Sequence, residues 1–315
     1  MGTLRNLRLG TAALLSLTTL VVACSSSSSG SSVSADQAAT DVAAAFCNKY
    51  NSCAPPFVQV AYGDLTTCEA RFKLSVAPSL AANGTGATSA QYESCSKDLA
   101  TASCDDLLSR NLPQSCHTIA GTLANGAACG EDSQCTGKYC NTEAGSTCGA
   151  CSTIAAAGGA CTSDDGCDYG LTCENSICTA YGAAGATCDV THNCTATLAC
   201  VNGTCATPLE AGAACPAIGA PGCDTLKGLY CNTSKVCATY SFANAGQPCG
   251  LVSAQSYAAC AGGGLCKGAS GITPGTCEAP AADGASCDAA AGPSCLAPAV
   301  CTGGVCKITD PSTCK

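Results

Sequence analysis

Cys161-TSDDG-Cys167-DYGLT-Cys173-ENSI-Cys178 is the stretch from which the rest of the chain can be read. It recurs with variations from Cys129 to Cys306, giving six four-cysteine blocks in succession. Each block has too little apolar bulk to fold by collapse alone, so the cysteines stand in covalently for a core. The reading is a small disulfide-rich fold, an N-terminal helical bundle followed by tandem four-cysteine hairpin modules.

Composition agrees. The 315 residues include 33 cysteines, no tryptophan, two histidines and 11% charged side chains, a profile of disulfide scaffolds and of an oxidising compartment. Phe46, Tyr50, Phe57, Tyr62, Phe72 and Tyr92 crowd into one early segment, which alone can bury a sizeable core. Net charge is −9, and removing Arg5 and Arg8 with a leader leaves 11 basic against 22 acidic side chains. That balance excludes nucleic acid as a partner, because binding a polyanion needs a basic patch to release counterions.

Residues 1–23 combine Arg5 and Arg8 with an apolar run from Leu9 to Ala23, too short to span a bilayer and typical of a cleaved signal. Leu20-Val21-Val22-Ala23-Cys24 resembles the lipobox of bacterial lipoproteins, with Val21 where leucine is commonest. The resemblance implies cleavage behind Ala23 and lipidation of Cys24. An ordinary secretory signal would leave Cys24 as a thiol, but 33 is odd, and acylating Cys24 leaves 32 cysteines that can pair completely. More than one acyl chain anchors stably where a single chain binds marginally. Residues 24–34 form a serine-rich tether, and serine behind the acylated cysteine implies, by the same resemblance, the bacterial outer membrane.

Residues 35–118 read as a six-cysteine helical domain. Ser34 with Gln37 caps a first helix carrying Val42, Phe46 and Tyr50 on one face until Pro55-Pro56 stops it. Thr66 with Glu69 caps a second, carrying Leu65, Cys68 and Phe72 and ending at Pro78, and Thr88 with Gln91 caps a third. A short fourth helix falls around Asp105–Leu108. Cys47, Cys53, Cys68, Cys95, Cys104 and Cys116 make about three bridges, whose fifteen possible connectivities the sequence leaves open.

Residues 126–315 are the repeats. Each block opens Gly-x-x-Cys, at Gly126, Gly158, Gly185, Gly212, Gly246 and Gly284, where glycine supplies a positive-φ turn between modules. Gly170-Leu171-Thr172, Gly228-Leu229-Tyr230 and Gly264-Leu265 precede third cysteines. Asn202-Gly203 and Gly303-Gly304, between short flanks, predict two-stranded hairpins.

Cys129-x5-Cys135-x4-Cys140-x7-Cys148-x2-Cys151, with Asp132 and Gly137-Lys138-Tyr139, resembles the N-terminal cysteine-rich region of Dickkopf proteins over roughly residues 126–178. The whole arrangement is similar to cysteine-rich bacterial lipoproteins. The Dickkopf resemblance implies pairing of first with third and second with fourth cysteine. It therefore joins Cys129 to Cys140, Cys135 to Cys148, Cys161 to Cys173, Cys167 to Cys178, Cys188 to Cys200 and Cys194 to Cys205. Continued through the array, it joins Cys215 to Cys231, Cys223 to Cys237, Cys249 to Cys266, Cys260 to Cys277, Cys287 to Cys301 and Cys295 to Cys306. A partner for Cys151 and a second Dickkopf-type domain are missing, so receptor binding does not transfer. Read from the residues alone, a bond between Cys173 and Cys178 across the hairpin is a rival pairing. Cys151 and Cys314 remain as an unassigned pair that could bridge the ends of the array.

Chemistry-bearing patterns are sparse. Cys148-Gly-Ala-Cys151 is the one C-x-x-C, too little for a zinc ribbon and without the βαβ context of a redox site. His117 and His192 each sit beside a cysteine in turn-like sequence and read as solvated loop residues. Asp164-Asp165-Gly166 lacks the alternating acids of a calcium loop and reads as a turn. The expectation is a non-catalytic protein without cofactor or metal, held to a membrane by lipid, with an extended array of modules whose loops contact an extracellular protein or polysaccharide. The alternative is a protease-inhibitor-like or toxin-like secreted protein acting through one exposed loop.

Overall fold

A computed structural model of the protein describes residues 33–189, 193–217 and 222–315. The expected leader, Cys24, residues 24–32 of the tether, and His192 lie outside the described residues.

Helix α1 (Ala35–Cys53) begins where the Ser34 hydroxyl accepts the Gln37 N–H at 3.1 Å, and it buries Ala38, Ala39, Val42, Ala43 and Cys47 along one face. Pro55-Pro56 ends that helix and opens another, α2 (Pro55–Ala61), because proline at the first helical positions gives up an N–H that has no partner there anyway. Helix α3 (Leu65–Ala81) differs from expectation at both ends. Its cap is Asp64, whose carboxylate accepts the Thr67 N–H at 2.7 Å, and it continues through Pro78 for three more residues. Thr88 caps α4 (Ser89–Thr101) and Ser103 caps α5 (Cys104–Leu108). Val42, Leu99 and Leu107 form the core with Phe46, Tyr50 and Tyr92, and Phe46 stacks on Phe72 at 4.6 Å. Three disulfides staple the bundle: Cys47–Cys68 joins α1 to α3, Cys53–Cys104 joins α1 to α5, and Cys95–Cys116 ties α4 to the turn behind α5.

The six modules share one backbone design. The opening glycines Gly126, Gly158, Gly185, Gly212, Gly246 and Gly284 all have φ between 80° and 86°. Each donates its N–H to the carbonyl of the module's last hairpin cysteine, for example Gly158 to Cys178 at 2.8 Å and Gly284 to Cys306 at 2.8 Å. That cysteine returns its own N–H to the residue after the glycine, as Cys178 does to Gly159. Three residues before the glycine, the chain bridges in parallel to the second cysteine, as Ala155 does to Cys167 and Leu209 to Cys223. A short antiparallel hairpin closes each unit, with its two cysteines directly opposite each other: Cys173 faces Cys178, Cys200 faces Cys205, and Cys301 faces Cys306. The facing cysteines do not bond to each other. Each reaches to a loop cysteine, giving Cys161–Cys173, Cys167–Cys178, Cys188–Cys200, Cys194–Cys205, Cys215–Cys231, Cys223–Cys237, Cys249–Cys266, Cys260–Cys277, Cys287–Cys301 and Cys295–Cys306.

Module 1 corrects the expected pairing. Cys129 bonds Cys140, but Cys135 bonds Cys151 and not Cys148. The reason is register: Cys151 is the residue opposite Cys140 in the hairpin, and Gly126 donates to its carbonyl at 2.7 Å, so Cys151 holds the fourth-cysteine position. Cys148 is an extra cysteine in the hairpin loop, and it bonds Cys314.

The modules do not form an extended array. They wrap around the helices, and modules 2 to 6 touch the bundle through the stretch between their second and third cysteines. Gly170 donates to the Arg110 carbonyl at 3.0 Å, Ala196 to the Ser109 hydroxyl at 2.8 Å, and Gly263 to the Val60 carbonyl at 2.7 Å. A Cβ on Gly228 would lie 3.1 Å from the Pro56 ring, so module 4 is seated against α2. Module 6 is held by Arg71, which forks onto Asp283 at 2.6 and 2.9 Å and also donates to the carbonyls of Leu296 and Ala297. Module 1 meets the end of α3, where the Ser79 hydroxyl donates to Glu131 at 2.7 Å, and the loop beyond, where the Gly86 N–H donates to the Ser133 carbonyl at 2.8 Å. First and last modules thus meet over α3, and Cys148–Cys314 with a Thr302-to-Gly145 hydrogen bond closes the ring. The described residues form one compact, disulfide-rich unit.

Candidate functional site

Closing the ring over α3 leaves a cleft of about 810 Å³ between modules 1, 2 and 6. Its floor carries two carboxyl groups consecutive in sequence, Glu131 and Asp132, placed by the turn between Cys129 and Cys135. The turn is fixed internally: the Gln134 side chain accepts the N–H groups of Gly130 and Glu131. Burial pushes the Glu131 carboxyl up to about 7, against the hydrogen bond from Ser79 and helped by the neighbouring Asp132 charge. Burial likewise raises Asp132 to about 6, although its carboxylate accepts the Cys140 N–H at 2.7 Å. Burial thus favours the protonated form of both carboxyls, in which each can donate as well as accept a hydrogen bond. The hydroxyl-bearing residues Tyr139, Thr162 and Ser163 line the same cleft.

A smaller cavity of about 130 Å³ lies against the same acidic turn and is lined also by Gln91 and His117. His117 is not a solvated loop residue. Its ring stacks on Tyr169 at 3.7 Å, within 9° of parallel, and its Nε2 is 2.9 Å from the Leu112 carbonyl. Tyr169 in turn accepts the Thr118 N–H at 2.8 Å, so the histidine is part of the seat for module 2. Asp164 is committed to the turn as well, its carboxylate accepting from the Cys173 N–H at 2.7 Å and the Thr172 hydroxyl at 3.0 Å. The Asp164–Gly166 segment is a single 3-10 turn.

The cysteine sulfurs converge in threes inside the modules, as at Cys129, Cys135 and Cys151. Each of these sulfurs is in a disulfide, so none offers the thiolate that metal binding or redox attack requires. Cys148 and Cys151, the C-x-x-C pair, are bonded to Cys314 and Cys135 respectively and not to each other.

A second concavity, of about 510 Å³, lies between modules 4 and 5 and is walled by Tyr230, Tyr240 and Tyr257. Sequence reading missed this grouping and the Glu131–Asp132 floor. The signals were present: four of the seven aromatics outside the helical segment fall between positions 230 and 257, and two adjacent acids stand inside a cysteine loop. Comparison with protein-family models, with curated proteins and with solved structures finds no match to this chain.

Proposed function

We propose that the chain is a lipid-anchored protein of the bacterial cell envelope, most simply the outer membrane, with a non-catalytic binding role. A compact closed head stands on a serine tether, and extracellular protein or polysaccharide is its partner class. The cysteine arithmetic carries the reading of the anchor. Sixteen disulfides engage 32 of the 33 cysteines and leave Cys24, inside the lipobox-like Leu20–Cys24, without a partner sulfur in its own chain. No helix among the described residues is long and apolar enough to cross a membrane. The head offers concave surfaces fixed by cross-links, which suits binding because little ordering entropy is lost on contact. The likeness to the Dickkopf cysteine-rich region rests on cysteine spacing and adds no receptor.

Radioactive palmitate labelling of the producing cells, with mass analysis of the mature N-terminus, tests the anchor. The reading expects a diacylglyceryl-modified Cys24 as first residue, loss of label in Cys24→Ser, and accumulation of the unprocessed form when lipoprotein signal cleavage is blocked. A mature chain with a free Cys24 thiol overturns it.

A second reading, the inhibitor-like one, is favoured by one residue. Ile272 is 80% exposed at the tip of a loop pinned by the facing Cys266 and Cys277. Inhibition of a protease that prefers aliphatic side chains, abolished by Ile272→Asp, supports that reading, and full protease activity in the presence of the intact protein excludes it.

A further inference from the structure

We infer that the groove between modules 4 and 5 binds a neutral carbohydrate chain. This deepens the binding role proposed above and makes no use of the lipid anchor, so either can fail alone.

Four aromatic rings meet at this one place. Tyr230 and Tyr257 lie 5.6 Å apart at 47°, Tyr240 stands edge-on to Phe242 at 5.5 Å, and Tyr240 stands edge-on to Tyr257 at 6.4 Å. Steep angles leave ring faces as walls and do not bury them against each other. Tyr257, which lines the groove, and Phe242, which contacts Tyr240 from outside its lining, remain 37% and 41% exposed. The walls are preorganised. The Tyr230 hydroxyl donates to the Gln255 carbonyl at 2.8 Å, which locks module 4 to module 5. Strand Ser241–Ala243, next to Tyr240, pairs in parallel with the strand Ser256–Cys260 that carries Tyr257. The floor includes Cys266, fixed by its bond to Cys249, and the close-packed Gly250, where a Cβ would lie 3.2 Å from Ala269.

The chemistry of the lining selects the occupant. No charged side chain lines the groove, in a chain of net charge −9, so neither an anionic nor a cationic ligand finds a counter-charge there. The Tyr240 and Tyr257 hydroxyls make no hydrogen bond with the described residues. An aliphatic side chain or a lipid tail brings no partner for either hydroxyl, whereas a ligand with hydroxyls of its own can pair with both. A neutral sugar ring meets both demands, since its C–H faces pack on aromatic rings while its hydroxyls donate and accept. The groove's volume, about 510 Å³, lies within the range of small-ligand sites.

The test uses the purified full-length protein with its disulfides intact, in affinity gels and in fluorescence titrations. The probes are dextran, laminarin and hydroxyethylcellulose, with alginate as a charged control. The chain has no tryptophan, but six of its nine tyrosines lie outside the groove, so a change in tyrosine emission is assigned to the groove only where Tyr257→Ala removes it. The inference expects retardation and tyrosine quenching by at least one neutral glucan, none by alginate, about tenfold weaker binding in Tyr257→Ala, and a smaller, several-fold loss in Tyr240→Phe. Non-reducing mass and mobility confirm that both variants keep their bridges. Binding to none of the neutral glucans, equal binding of alginate, wild-type affinity in Tyr257→Ala, or concentration-dependent self-association abolished by that same variant each overturns the inference.

Discussion

Cys148 and Cys314 are bonded across 166 residues of sequence, and this one bridge links the two ends of the module ring. Every other bridge from Cys129 to Cys306 spans at most 17 residues and stays within its own module. The ring is therefore six modules in series, each stapled twice, fastened once by a covalent bond.

Unfastening it has a defined consequence. In Cys314→Ser a single thiol, Cys148, becomes reactive, and the loss of stability is about 2 kcal/mol, the low end for a bridge because the other fifteen already shorten the unfolded loop. Thiol titration of the folded protein should count one, and limited proteolysis should cut first between residues 308 and 315.

The opening glycines are required by backbone conformation and not by space. A Cβ on Gly158 would meet nothing within 4 Å, yet its φ is +81°. Gly158→Ala should cost about 1–2 kcal/mol in a non-reducing denaturant titration, and Gly158→Asn less, since asparagine tolerates the left-handed region. Equal stability of Ala and wild type would show that the turn is not held there.

Stability should fall as pH rises through the range of the cleft acids. In the folded protein Glu131 is raised from 4.5 to about 7 and Asp132 from 3.8 to about 6. Between the ordinary and the raised values the unfolded chain releases protons that the folded chain keeps, so each unit of rising pH favours unfolding. The effect is absent below about pH 4 and complete above about pH 7. Guanidinium midpoints at pH 4.5 and pH 8 measure it, and Glu131→Gln should raise the pH 8 midpoint and flatten the profile.

Arg71 fixes the last module to the bundle with four hydrogen bonds from a side chain that is 12% exposed. Arg71→Ala should destabilise by about 2–3 kcal/mol and raise hydrogen exchange selectively in residues 281–306. Arg71→Lys should recover less than half of this, because an ammonium cannot form the fork.

How much of this was legible in the sequence follows from how local each feature is. The module boundaries were legible because the same Gly-x-x-Cys opening is reused six times, even though the hairpins that follow differ in length. The pairing in module 1 was not, because Cys148 and Cys151 stand three apart in sequence and only the strand register that sets Cys151 opposite Cys140 separates them. The helix caps at Ser34 and Thr88 were legible, whereas Pro55-Pro56 read only as a stop although proline also starts helices. The ring itself left no periodic trace. It depends on contacts such as Arg71 to Asp283, 212 positions apart, and on glycines whose close approach to the bundle appears only once the chain has wrapped. The acids and the aromatics of the two concavities were visible as local clusters, but the cavities they line appear only when the modules pack against one another.

The central claim is that the modules encircle the helices and are fastened by Cys148–Cys314. Small-angle scattering of the oxidised mature chain, with Cys24→Ser to keep it free of lipid, tests this most directly. A wrapped head should give a radius of gyration of about 19 Å, enlarged slightly by the serine tether. A rod-like profile with a radius more than about a third above that compact value would contradict it.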